Sequence, residues 1–258
     1  MSADGLPDRF ESVAALEDFM TQPTPALIAD LGRVPGDILV LGAAGKMGPT
    51  LARMAKRAVP GKRVVAVARF TEPSARASLE AAGVETVACD LLDRNAVAAL
   101  PKLDNVVFMA AMKFGAAGNP ALTWAMNVHV PAIVAETFPS ARIVAFSTGC
   151  VYPFVPVAGG GATEDTRAVP PPGDYANSCV GRERMFEHFS APSAPRGGSS
   201  DSTTRSTCAT ASCTTWPPRC ETECPSTSRW ATSTSSGRVM QMPRRCAASP
   251  APPRPPRH

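Results

Sequence analysis

The stretch Asp37-Ile38-Leu39-Val40-Leu41-Gly42-Ala43-Ala44-Gly45-Lys46-Met47-Gly48-Pro49 decides the reading of the chain. Four apolar residues run without alternation into three glycines spaced three apart, and a helical pattern continues from Pro49 to Ala58. An unbroken apolar run is a strand buried on both faces. Glycines at a strand-to-helix turn leave the N–H groups of a helix N-terminus open to an anion, and Pro49 suits the first turn, where its missing N–H costs nothing. A dinucleotide's pyrophosphate needs that arrangement of Gly42, Gly45 and Gly48, with Lys46 and Met47 between them. A tight turn that binds nothing is the competing reading.

Outward from this loop the same texture repeats. Short Val/Ile/Leu runs (RVVAVA, ETVAC, NVVFMAA, RIVAFS) alternate with helical patterns (TLARMAKRA, ASLEAAG, NVHVPAIVAETF). Strands of this kind separated by helices predict an α/β fold with a doubly wound parallel sheet, the Rossmann-type NAD(P)-binding architecture, over residues 37–190. Residues 1–36 read as a helical leader: Phe10, Val13, Leu16 and Phe19, then Leu27, Ile28 and Leu31 keep helical spacing on either side of Pro23 and Pro25. Two short helices against the following domain, or a surface leader, both fit. The second strand ends at Arg69, where a carboxylate would accept ribose hydroxyls. An arginine there can pair instead with a 2′-phosphate, so the choice between NAD and NADP leans to NADP, against the alternative of a solvated strand-end arginine.

The series of stations resembles the extended short-chain dehydrogenase/reductase superfamily, the NAD-dependent epimerase/dehydratase group. Gly42-x-x-Gly45-x-x-Gly48 is similar to its phosphate loop, and Cys89-Asp90-Leu91 to the acid-plus-apolar pair that holds the adenine ring. Met109-Ala110-Ala111 resembles the strand end beside the cofactor, and Asn127-Val128 the family's Asn-Val station. Phe146-Ser147-Thr148 resembles the strand that carries the catalytic hydroxyl, and Tyr175 follows at the expected separation. The resemblance implies hydride transfer at a carbinol carbon of a sugar-like small molecule. Tyr175 would carry the proton and Thr148 would steady the oxyanion. It also implies a homodimer, with the helix of Tyr175 as a candidate surface.

One departure bears on the chemistry. The family pattern is Tyr-x-x-x-Lys, and here the sequence is Tyr175-Ala-Asn-Ser-Cys179, so Cys179 stands at the cofactor-contacting lysine's place without its cation. A tyrosine near pKa 10 is about 0.1% phenolate at pH 7. Arg182, two helical turns on from Tyr175, either sends its charge back toward the ring or belongs to a solvated run, Arg182-Glu183-Arg184, and the second reading is preferred. A module that holds NAD(P) without turnover is the alternative function.

Residues 191–258 differ in kind. The net charge of +4 divides into −2 over residues 1–190, with 17 Lys and Arg against 19 Asp and Glu, and +6 over the remainder, with 9 Arg against 3 acids. The remainder holds 11 Pro and no Leu, Ile, Phe or Tyr, a composition unable to bury a core, so a disordered tail is expected. Shifting the reading frame turns it back into sense. Trp230-Ala231 become an apolar residue and Gly, Thr232 to Ser236 acquire strand alternation, and Met240 to Pro243 yield two forced alanines. A frameshift between about Ser190 and Ser199 is therefore the reading, with a truncated, non-functional product as its consequence for this chain. A genuine basic tail touching nucleic acid is the weaker alternative, since no lysine lies in it. No run of 18 apolar residues, no apolar leader and scattered histidines (His129, His188, His258) predict a cytoplasmic chain with no membrane, nucleic-acid or metal partner.

Overall fold

The computed structural model describes residues 7–113, 118–156, 158–163 and 165–190, and the backbone of 207–209. In chain order its elements are α1 (Val13–Met20), α2 (Pro25–Arg33), β1 (Ile38–Leu41), α3 (Gly48–Ala58), β2 (Val64–Ala68), α4 (Pro73–Ala81), β3 (Glu85–Ala88), α5 (Arg94–Ala98) and β4 (Asn105–Phe108). They continue with α6 (Pro120–Trp124), a π-turn (Ala125–His129), α7 (Val130–Thr137), β5 (Arg142–Phe146), a 3-10 turn (Gly149–Val151), α8 (Asp174–Ser190) and β6 (Thr207–Ala209).

The strands pair in parallel in the order β3-β2-β1-β4-β5-β6. Ile38 is the hinge of the register, opposite Val64 on one side and Asn105 on the other. Alternate residues of each central strand enter opposite faces, and both faces are apolar. Ile38, Val40, Val64 and Ala66 pack under Ala52 and Ala55 of α3 and Leu79 of α4. Leu39, Leu41, Val65, Val67, Val106, Phe108 and Ile143 pack under Val97 of α5, Ile133 and Val134 of α7 and Phe186 of α8. This two-sided burial is why the strands read as unbroken apolar runs. β3 departs from it: Glu85 and Ala88 are exposed, because β3 is the sheet's outer strand and has only β2 beside it. Glu85 there pairs with Arg63 at 2.8 Å.

Of the sequence expected to form a disordered tail, only Thr207–Ala209 lies among the described residues, and its backbone runs parallel to Val144–Phe146. The proposed frame change and the rest of 191–258 lie outside them. At the other end, Ser12 caps α1 and Thr24 caps α2, with Pro25 in the first turn. Glu17 and Asp18 tie α1 to Arg53 and Arg57 of α3.

Two local features shape the site. Pro131 has no N–H for the carbonyl one α-turn before it, that of Asn127, and the chain relaxes into the π-turn at this place. Gly181 lets α8 come close to that turn, since a Cβ there would stand 2.7 Å from Val128 Cγ2.

Candidate active site at the carboxyl edge of the sheet

The direction of strand order reverses between β1 and β4, and the loops leaving their carboxyl ends open a crevice where open α/β sheets place ligands. The glycine loop occupies one wall. Gly42 has φ +87°, and a Cβ on it would lie 2.6 Å from Ala110 N, so the loop after β1 seats directly on the end of β4. A Cβ on Gly48 would meet Ala43 O at 2.3 Å, which couples the start of α3 to the loop. Gly45 differs: a Cβ there meets only Gly42 O, at 3.4 Å. The chain's own packing explains Gly42 and Gly48 but not Gly45, whose exposed backbone leaves a cradle that a side chain would fill. The N-cap of α3, Met47, gives no side-chain hydrogen bond to the helix, and Lys46 and Met47 are both exposed.

Along the rest of the crevice, Arg69 is exposed at the end of β2, followed by Phe70 with a φ of +48°. Asp90 accepts the Leu92 N–H at 3.0 Å and so shapes its own turn, while Leu91 is buried in the core. Met109 is half-buried, Ala110 buried and Ala111 exposed at the end of β4.

The opposite wall is built around Asn127. Its Oδ1 accepts the Met112 N–H at 2.8 Å and Arg182 Nη2 at 3.1 Å, and its Nδ2 donates to Met112 O at 3.1 Å and Ser178 Oγ at 3.0 Å. One amide thereby joins the loop after β4, the π-turn and α8. Asn127 is fully buried and engaged by the chain itself. Ser178 also donates to the Tyr175 carbonyl at 2.9 Å, which anchors the turn of α8 that carries the tyrosine.

Thr148 caps the 3-10 turn after β5, accepting the Cys150 N–H at 3.3 Å. Its hydroxyl lies against Tyr175 and draws the phenol down, but burial outweighs it. With the Cys179 sulfur adding to the effect, the Tyr175 phenol is pushed up to about 12. Cys179 is fully buried, and burial raises its thiol, against the opposing pull of Arg182 and the tyrosine hydroxyl. At neutral pH both groups carry their protons.

Arg182 corrects the preference for a solvated helix face. It is 3% exposed, donates from Nη1 to Phe146 O at 2.8 Å, and sits with its guanidinium carbon 5.9 Å from the Phe108 ring centre. The neighbouring Glu183 takes a hydrogen bond from the Ser147 hydroxyl. The sequence reading also passed over Lys113, whose Nζ stands 6.0 Å from the Tyr175 ring centre. Its position four residues beyond Met109, in the loop leaving β4, was the available signal.

Among the described residues no group of three His, Cys, Asp or Glu could hold a metal ion, and no helix is long and apolar enough to cross a membrane.

Comparison with known proteins follows the same outline. The model of the NAD dependent epimerase/dehydratase family matches residues 38–192. No curated protein matches the sequence. A dTDP-glucose 4,6-dehydratase of Streptomyces venezuelae, DesIV, solved with NAD and TYD, is similar at 24% identity and a TM-score of 0.53, over 59% of this chain and 51% of that one. UDP-glucuronic acid 4-epimerase of Bacillus cereus, solved with its sugar nucleotide and NAD, is 20% identical with a TM-score of 0.51, over 59% and 52%. MoeE5 with UDP-glucuronic acid and NAD is 26% identical with a TM-score of 0.51, over 61% and 50%. The chain thus spans about half the length of these structures.

Proposed function

This chain belongs to the NAD dependent epimerase/dehydratase family, and on that premise we propose that it binds NAD(P) across the Gly42–Gly48 loop and oxidises or reduces a carbinol carbon of a sugar-like small molecule, of the sugar-nucleotide class. The observation that carries the reading is the contact of the Thr148 hydroxyl, in the turn after β5, with the Tyr175 phenol at the start of α8.

The residues present suit a dinucleotide. The open cradle at Gly45 and the uncapped start of α3 would take the pyrophosphate, Asp90 and Leu91 would border the adenine, and Arg69 would meet a 2′-phosphate, which favours NADP. Met109, Ala110 and Ala111 would line the approach to the nicotinamide. Bound there, the cofactor accepts or returns the hydride. Asn127 and Cys179 shape this wall from behind, through the backbone and the tyrosine they hold.

When a carbinol is oxidised, the carbon–hydrogen electron pair leaves as hydride, the hydroxyl proton passes to the Tyr175 oxygen and a carbonyl forms. Thr148 donates a hydrogen bond to the substrate oxygen as charge develops there. The protonated phenol is ready to give its proton to an alkoxide. Taking a proton requires a cation that favours the phenolate.

Absorbance at 340 nm with NAD(P)H or NAD(P)+ and sugar nucleotides tests the reading. Tyr175→Phe should lower turnover by about 10²- to 10⁴-fold with cofactor affinity kept. Cofactor binding with no substrate-dependent change at 340 nm would favour the non-catalytic module. On the same footing stand a homodimer through α8, tested by size-exclusion chromatography with light scattering, and an out-of-frame origin of residues 191–258, tested by sequencing the gene across codons 185 to 258.

A further inference from the structure

Among the described residues Arg182 is the only charged side chain that is buried, at 3% exposure. A buried cation is costly unless an anion or a full set of acceptors meets it. Arg182 has neither. Nη1 and Nη2 donate to neutral oxygens of Phe146 and Asn127, the guanidinium stands beside the Phe108 ring, and Nε has no hydrogen-bond partner. None of the ion pairs among the described residues includes it.

The groups that face Tyr175 come from three directions. Thr148 and Cys150 belong to the turn after β5, Lys113 to the loop after β4 and Cys179 to α8, and Arg182 lies two turns beyond Tyr175 on the same face of α8. Of the acids on α8, Asp174 beside Tyr175 accepts from Trp124 Nε1 at 2.8 Å, and Glu183 beside Arg182 is held by the Ser147 hydroxyl. Two of these groups are cations. Lys113 is half-buried over the ring face, where solvent screens it, whereas the charge of Arg182 lies inside the protein and acts with little screening.

We infer that Arg182 is a positioning residue whose unpaired buried charge favours the Tyr175 phenolate, doing from two helical turns away what Cys179 has no charge to do. The inference rests on the reading of Tyr175 as the proton-transfer group. The fixed contacts to Phe146 and Asn127 keep the guanidinium from swinging out to solvent, so its field on the phenol is permanent. Tyr175 is neutral in the resting site, and the arginine then lacks a counter-ion. Removal of the proton creates one. The two charges therefore stabilise each other only in the state that general-base catalysis needs.

The chain contains two tyrosines, so Tyr152→Phe leaves Tyr175 alone. In that background a ring-fluorinated tyrosine, whose phenol is more acidic, reports the ionisation of position 175 by fluorine NMR without any substrate. Arg182→Gln, shown to be folded by far-UV circular dichroism, should raise the midpoint by about one pH unit or more. Arg182→Lys should stay near the parent, and Lys113→Met should move it less than Arg182→Gln. A midpoint that stays in place in folded Arg182→Gln overturns the inference, as does an equal rise in Arg182→Lys or a larger one in Lys113→Met. If Arg182→Gln does not fold, Asn127→Asp serves, since it keeps the guanidinium and sets a carboxylate where Nη2 now finds Oδ1 at 3.1 Å. The midpoint should rise there too, and an unchanged value overturns the inference. Turnover by Tyr175→Phe at the parent rate would instead remove the assignment of Tyr175 and leave the titration result standing.

Discussion

Replacing Asn127 by alanine should be among the most damaging single changes near the site. The substitution deletes an acceptor shared by the Met112 N–H and Arg182 Nη2 and a donor shared by Met112 O and Ser178 Oγ, four hydrogen bonds of 2.8 to 3.1 Å. Three join neutral groups, at about 1 kcal/mol each, and the one to the guanidinium adds about 2 kcal/mol. With partial replacement by water the loss is about 3–5 kcal/mol, a large share of the about 5–15 kcal/mol that holds a domain together. Asn127→Asp keeps both acceptances at Oδ1 and loses only the two donations, so it should cost less. Urea unfolding followed by far-UV circular dichroism measures the difference. With a slope near the upper end of about 1–3 kcal/mol per molar, the midpoint should fall by about 1 M or more for alanine and by less for aspartate. An alanine protein within about 1 kcal/mol of the parent, or no worse than the aspartate one, would show that the clamp is not what joins the loop after β4 to α8.

The glycine loop gives a contrast between two alanines. Gly48→Ala drives a Cβ to 2.3 Å from a backbone oxygen and should lower the melting temperature, whereas Gly45→Ala meets only Gly42 O at 3.4 Å and should leave stability unchanged while weakening NAD(P)H binding in a fluorescence titration. Because burial raises the Tyr175 phenol from 10.0 to about 12, the folded state keeps a proton that the unfolded chain loses. The stability this contributes is complete below pH 10 and disappears as pH rises through about 12. Tyr175→Phe should therefore lose less stability than the parent across that window, and parallel alkaline unfolding curves would contradict it. Among Cys89, Cys150 and Cys179, only Cys150 is exposed, so iodoacetamide should label it first under native conditions, as read by peptide mass mapping.

The loop of three glycines and the parallel strands were legible because each rests on local chemistry, a residue without a Cβ and an unbroken apolar run, whereas Thr148, Asn127 and Tyr175 stood out only through the resemblance of the whole series to a family. Arg182 was not. In the run Arg182-Glu183-Arg184 it looks like its neighbour, and what separates the two is the rotation of α8, which turns Arg184 to solvent and Arg182 onto Phe146 and Asn127. The upward shift of the Tyr175 phenol was equally hidden, since burial by distant segments and the apposition of Cys179 cause it.

By itself the sequence determined the fold class, through strands that are unbroken apolar runs and the glycines between β1 and α3. Tertiary structure alone decided which side chains share the interior of the site. Periodicity places a residue on its own helix but says nothing about the angle at which that helix meets the sheet. Gly181 against Val128, and the π-turn before Pro131, set that angle here, and with it the company of Tyr175.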